Sequence, residues 1–162
     1  SSWGKSSMII FRPAKPGEFN NILHVLKETS VSTNNISSPF NTFIVLEDNS
    51  KIIGVAGIEI YRDIGVLNSV AILPAYRGQQ LGSGIVKSVL NFADRRNVKK
   101  IYLSTEKEEA FFKKLGFKTI DKQEIDERCS ESTFLKNCSQ KAKIMVLNLV
   151  GYFDKPCSHA NT

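Results

Sequence analysis

Apolar positions recur along the chain at two spacings, one near two residues and one near 3.6, and the switches between them mark out the elements. Residues 8–13 read as a short strand closed by Pro13, after which Pro16 opens a helix with apolar positions Phe19, Ile22, Leu23, Val25 and Leu26. Residues 29–41 mix Ser, Thr and Asn with Pro39 and predict a loop with at most one helical turn. The β-branched runs 43–46 and 52–60 flank Glu47-Asp48-Asn49-Ser50, which predicts a hairpin with a polar turn. A third run, 66–73, is reached through Arg62 to Gly65 and stops at Pro74.

After Tyr76 the spacing becomes helical from about 82 to 96, with Ile85, Val86, Val89, Leu90, Phe92 and Ala93 on one face. A strand at 99–104, a helix at 106–115 ended by Gly116, and a strand at 117–120 follow. Residues 121–135 are polar with helical turns, and 142–149 close the fold as a last strand. Residues 1–7 read as a flexible leader and 151–162 as a flexible tail, which leaves 8–150 as one domain. This order predicts an α/β (α+β) architecture, a mixed and mostly antiparallel sheet flanked by helices.

Composition narrows the function classes. With 162 residues, 41% apolar and 23% charged, the chain is an ordinary globular domain and neither collagen-like nor wholly disordered. Apolar stretches such as 144–150 fall short of the ~20 residues of a membrane helix, and no basic-then-apolar signal peptide opens the sequence, so a cytoplasmic address without membrane contact is expected. Three widely spaced cysteines (Cys129, Cys138, Cys157) and two histidines (His24, His159) supply no zinc framework, so no metal is expected. Neither histidine sits where a Cys/His or Ser/His pair would need it.

Charge is more informative by position than by sum. Residues 1–76 hold 6 basic and 6 acidic side chains, and residues 119–162 again hold 6 and 6. The whole net charge of +6 therefore belongs to residues 77–118, where ten lysines and arginines face Asp94, Glu106, Glu108 and Glu109. A solvated helix face would look the same, but so would the binding site of a compact polyanion. At the head of this segment, Leu73-Pro74-Ala75-Tyr76-Arg77-Gly78-Gln79-Gln80-Leu81-Gly82-Ser83-Gly84 is a strand end, a glycine-containing turn and a helix start. Unpartnered N–H groups and about half a positive charge at a helix N-terminus bind phosphate where small residues let it approach. Gly78, Gly82 and Gly84 are the small residues and Arg77 adds charge. Neither the nucleotide-triphosphate loop nor the dinucleotide fingerprint has this spacing.

This loop, with the later block Phe111-Phe112-Lys113-Lys114-Leu115-Gly116-Phe117, resembles the GNAT superfamily of N-acetyltransferases over about residues 9–149. The strings Leu103-Ser104-Thr105, Ile120-Asp121 and Asn137-Cys138-Ser139-Gln140-Lys141-Ala142 are similar to a subgroup found with arsenic-resistance genes, which itself looks like the acetyltransferase half of N-acetylglutamate synthases. The resemblance implies acetyl-CoA as co-substrate. It implies a cofactor site of Val70, Ala71 and Ile72 for the pantetheine arm, and of Arg77, Gly78, Gln79, Gln80, Leu81, Gly82, Ser83 and Gly84 for the pyrophosphate. Thr105 stands where an asparagine often contacts the cofactor, and Phe111 and Phe112 line the thioester pocket or pack the core. Gln80 departs from the pattern, standing where the family's first glycine is usual.

An alkyl amine with pKa near ~10.4 is almost wholly protonated at neutral pH, so acetyl transfer needs a proton acceptor. Many family members place a glutamate early in the third strand of the central group and a tyrosine in the last helix, but Val66 and Phe112 occupy those places here. On the neighbouring strand Glu59, Tyr61 and Asp63 alternate onto one face, and Glu59 with Tyr61 is the expected catalytic pair; a solvent-facing carboxylate is the alternative. Tyr76 and Tyr102 are further candidates for the acid, and Cys138 for a substrate contact. The expected function is an N-acetyltransferase acting directly on a small amine, with an amino-acid-like acceptor and a homodimer both left open. A non-catalytic acyl-CoA sensor is the alternative. A nucleic-acid binder ranks below both, because no recognition motif accompanies the charge.

Overall fold

The structure, a computed structural model, describes residues 8–39 and 41–154. Its elements in chain order are β1 (Ile9–Pro13), α1 (Phe19–Glu28), β2 (Asn41–Asp48), β3 (Lys51–Tyr61), β4 (Ile64–Ile72), α2 (Leu81–Asp94), β5 (Lys100–Thr105), α3 (Glu109–Lys114), β6 (Lys118–Ile120), α4 (Thr133–Lys136) and β7 (Lys143–Asn148). All seven strands join one sheet in the order β1-β2-β3-β4-β5-β7-β6. Pairing is antiparallel in β1–β2, β5–β7 and β6–β7 and parallel in β4–β5, so the expected mixed, mostly antiparallel α/β sheet is present. No helix among the described residues is long and apolar enough to cross a membrane. The expected leader, 1–7, and most of the expected tail, 155–162, lie outside the described residues.

Two compact units divide the chain, Ser1–Ile58 with Ser69–Val89 and Glu59–Asn68 with Leu90–Thr162. In the first, β1 pairs with β2 from Ile9↔Asp48 to Pro13↔Ile44. Beyond the strand, the Arg12 guanidinium donates to both Glu18 carboxylate oxygens, at 2.9 and 2.7 Å, and also to Glu47. These bonds hold the Glu18 carboxyl at about 2, far below its ordinary 4.5. Helix α1 buries Ile22, Val25 and Leu26, while Phe19, expected on the same face, is 42% exposed at its first turn. Residues 29–39 contain turns and no helix, with Ile36 buried.

Both tight hairpins have two-residue turns entered through left-handed backbone. Asn49 and Ser50 take φ of +49° and +73° between β2 and β3, and Arg62 takes +59° between β3 and β4. The second turn sets Tyr61 opposite Ile64, and counting back puts Glu59 opposite Val66 and Ile53 opposite Ile72. At the far end, however, the Leu73 N–H donates to the Ile53 carbonyl at 2.8 Å, one residue later than that count. The additional residue is a bulge in β4, and Ser69, at φ +56°, carries its left-handed turn.

In the second unit, the parallel ladder of β4 with β5 runs only from Ile64↔Lys100 to Val66↔Tyr102, although both strands continue. Leu67 and Asn68 extend past its end. Ile64, Val66, Tyr102, Cys129, Leu135 and Ile144 form the buried core here, joined at its edge by Tyr61, Phe134 and Cys138. The polar stretch expected at 121–135 supplies 3-10 turns at Lys122–Glu124 and Glu127–Cys129, then α4. Residues 106–108, expected to begin a helix, form a turn, because the Glu108 N–H is taken by the Thr105 hydroxyl at 3.0 Å and α3 starts only afterwards. The first residues of the expected tail close back on this unit, where Tyr152 donates its hydroxyl to the Leu115 carbonyl at 2.7 Å.

Candidate active site

The first group of predicted residues lies at the head of α2. Pro74–Tyr76 forms a 3-10 turn, Gly78 takes φ +82° and Gln80 takes φ +61°, and the first helical hydrogen bond runs from the Gly84 N–H to the Gln80 carbonyl at 3.2 Å. The N–H groups between those two residues therefore have no acceptor inside the helix. A Cβ placed on Gly78 would meet nothing within 4 Å, so that turn is open to an incoming group. Glycine would adopt freely the left-handed conformation that Gln80 adopts at a cost.

Two of the expected phosphate contacts have other employment. A Cβ on Gly84 would stand 2.7 Å from Cζ of Phe11, so this glycine is small in order to seat α2 against β1. The Arg77 side chain turns back, its Nε donating to the Ile72 carbonyl at 3.3 Å, and so tethers the turn to the end of β4. Val70 and Ser69 are half-buried at the bulge, while Ala71 and Ile72 are buried.

The second group lies in the second unit. Glu59 is buried, with 2% of its surface exposed, which removes the alternative of a solvent-facing carboxylate. Its Oε1 accepts the hydroxyl of Ser132, which is itself fully buried, at 2.6 Å. Tyr61, two residues along β3 and on the same face, donates its hydroxyl to Glu59 and lies beside Ser132. Burial, reinforced by the Glu59 charge, pushes the Tyr61 phenol up to about 12, so it remains protonated. Burial also pushes the nearby Cys129 thiol up to about 11. Among the described residues no ion pair involves Glu59. A buried carboxylate held by two hydroxyls and by no cation is suited to taking a proton or an ammonium group.

Asp63, grouped with this pair by alternation, sits instead in the hairpin turn and is paired with Arg128, which also binds Asp126 at 3.0 Å. Tyr102 is a packing residue whose hydroxyl accepts the Asp126 N–H at 3.3 Å, and Tyr76 bonds to Asp48. Cys138 lies at the edge of the core with its thiol on the Leu135 carbonyl at 3.1 Å. Thr105 ends β5, its hydroxyl engaged with the turn before α3. Phe112 is buried and packs edge-on against Phe117 at 5.6 Å, a core role; Phe111 is half-buried against it at 5.0 Å. Among the described residues no group of three His, Cys, Asp or Glu is placed to hold a metal ion.

Sequence reasoning missed Ser132. It stands at the N-cap position of α4, where a serine hydroxyl ordinarily bonds the first turn, yet its side chain makes no cap bond. Spacing could not reveal a contact across 73 positions.

Comparison with known proteins places these features. The profile of the acetyltransferase (GNAT) family matches residues 10–117. A Bacillus subtilis (strain 168) protein assigned as a ribosomal protein bS18–alanine N-acetyltransferase is 27% identical over 85 residues, which is 50% of this chain and 56% of that one. N-acetylglutamate synthase from Neisseria gonorrhoeae, solved with coenzyme A and either L-arginine or N-acetyl-glutamate, superposes with TM-scores of 0.71 and 0.73 at 18% identity. These superpositions cover 89% and 90% of this chain but 34% and 36% of that one. The ribosomal-protein-S18-alanine N-acetyltransferase of Escherichia coli matches 88% of this chain and 94% of its own with a TM-score of 0.69 and 16% identity.

Proposed function

The chain belongs to the acetyltransferase (GNAT) family, and from that premise we propose that it transfers acetyl directly from acetyl-CoA to the amine of a small, amino-acid-like substrate, with Glu59 as proton acceptor. The observation that carries this reading is the buried Glu59 carboxylate, bonded to hydroxyls and, among the described residues, paired with no cation. Its position adds support. Glu59 stands opposite Val66, the place of the family's usual glutamate, and cross-strand neighbours on one face have Cβ atoms ~5 Å apart, so the carboxylate reaches the same region from the adjacent strand.

The residues present fit acetyl-CoA. Backbone amides at the head of α2 and the open turn at Gly78 suit the pyrophosphate, and the β4 backbone at Val70, Ala71 and Ile72 suits the pantetheine arm. Acetyl-CoA supplies an activated acyl group. The acceptor arrives as an ammonium ion and loses a proton to Glu59, directly or through one water, becoming the free amine that attacks the thioester carbonyl. Backbone N–H groups of β4 beyond Val66 can donate to the oxygen that gains charge. Tyr61, protonated throughout, holds the carboxylate rather than giving up its own proton. The departing thiolate takes up the second proton, which the nitrogen sheds as the amide forms and the C–S bond breaks, and a thiol pKa near ~8.5 makes it a tolerable leaving group. The amino-acid-like class rests on the likeness to N-acetylglutamate synthase.

Thiol release from acetyl-CoA across a panel of amines tests the proposal. Glu59→Gln is expected to lower kcat/KM by about 10²–10⁴ while acetyl-CoA still binds. A variant within threefold of wild type would remove Glu59 from the chemistry, and background release by the wild type across the panel would leave a sensor.

A further inference from the structure

We infer that Ser132 is a positioning residue that donates its hydroxyl to the Glu59 carboxylate and fixes its aim. The inference rests on the proposed role of Glu59 and extends it to the segment before β7.

Three observations carry it. Ser132 is fully buried and its hydroxyl has spent its proton on Glu59 Oε1 at 2.6 Å, a short distance for a hydroxyl on a charged acceptor. Ser132 forgoes the N-cap bond that its position at α4 invites, so local helix chemistry does not account for where the hydroxyl points. Glu59 has no ion-pair partner among the described residues, so its direction is set by hydroxyl donors.

The groups facing Glu59 are the Tyr61 phenol from β3 and the Cys129 thiol from the Glu127–Cys129 turn. Both stay neutral below about pH 10, one near 12 and the other near 11. Val66 faces it from β4. Tyr102 of β5 is turned to the Asp126 N–H, and Asp126 and Arg128 neutralise each other. No other side chain of the cluster therefore titrates over the acidic limb. In the proton transfer the carboxylate becomes a carboxylic acid and the ammonium a free amine, while Ser132 keeps its own proton and only changes the strength of its bond.

Removing a donor from an ionised carboxylate raises its pKa, so the acidic limb must move to higher pH. The test follows the Glu59 carboxyl directly by carbon-13 NMR of glutamate-labelled protein, the signal being assigned by its loss in Glu59→Gln, beside kcat/KM against pH. For Ser132→Ala the NMR titration and the acidic limb are expected to rise together by about one to two pH units. Ser132→Thr, which restores the hydroxyl, should return both. If alanine does not fold, Ser132→Cys, with its weak donor, should show a shift in the same direction. An NMR titration unchanged without the hydroxyl overturns the role of Ser132 and leaves Glu59 untouched. A titration that moves while the rate profile stays still overturns Glu59 as the base, and with it any catalytic meaning for Ser132.

Discussion

Gln80 holds φ at +61° immediately ahead of α2, a conformation that costs a residue with a Cβ ~1–2 kcal/mol. Glycine removes that cost but gains freedom in the unfolded chain, which returns part of the benefit. Gln80→Gly is accordingly expected to stabilise the protein by up to about 1 kcal/mol in urea or thermal unfolding. A loss of stability would mean that the glutamine side chain has a compensating contact. Gly84 teaches the opposite lesson. It was legible as a small residue near a phosphate loop, but its smallness serves the Phe11 ring, 2.7 Å from where a Cβ would be. Sequence shows that a residue is small and not which neighbour needs it so. Glu59 and Tyr61 were legible by alternation along one strand, whereas Ser132 was not, because its partner is 73 positions away and its local setting suggests a helix cap.

Among the elements, the junction of β1 and α1 has a distinct acid response. Glu18 ionises at about 2 in the folded chain against an ordinary 4.5, so as pH falls the unfolded chain takes up the proton first. Its contribution is complete above about pH 4.5 and is lost as pH falls toward 2. Arg12→Met, which removes the cause, should flatten the dependence of unfolding free energy on pH across that window, as urea titrations between about pH 2 and 6 would reveal; an unchanged slope would place the acid sensitivity elsewhere. The helices were legible from the period that burial on one face imposes, and the central strands from unbroken apolar runs, since β3 is buried on both faces from 52 to 59. The ends were harder to read. Arg62 is not a residue that favours left-handed backbone, so the short turn between β3 and β4 left no signature, and β4 begins two residues before the predicted 66. At 106–108 a helix-like composition lost to one hydroxyl, that of Thr105.

For the molecule as a whole, the +6 charge resides in residues 77–118, which begin at the proposed pyrophosphate turn. Acetyl-CoA at a hundred times its dissociation constant should stabilise the folded chain by about 2.7 kcal/mol, a rise in Tm of roughly 5–10 °C for a chain of this size. Because part of the attraction is ionic, the rise at fixed ligand should shrink between about 0.05 and 0.5 M salt. No rise at any salt would argue against the cofactor. The bulge at Ser69 has one more consequence. Its single extra residue decides which way Val70, Ala71 and Ile72 look, and in a pleated strand the loss of one position turns every later side chain inside out. Deleting the Ser69 codon should therefore abolish folding where replacing that serine with glycine does not. The strand accepts a change of spelling but not of length.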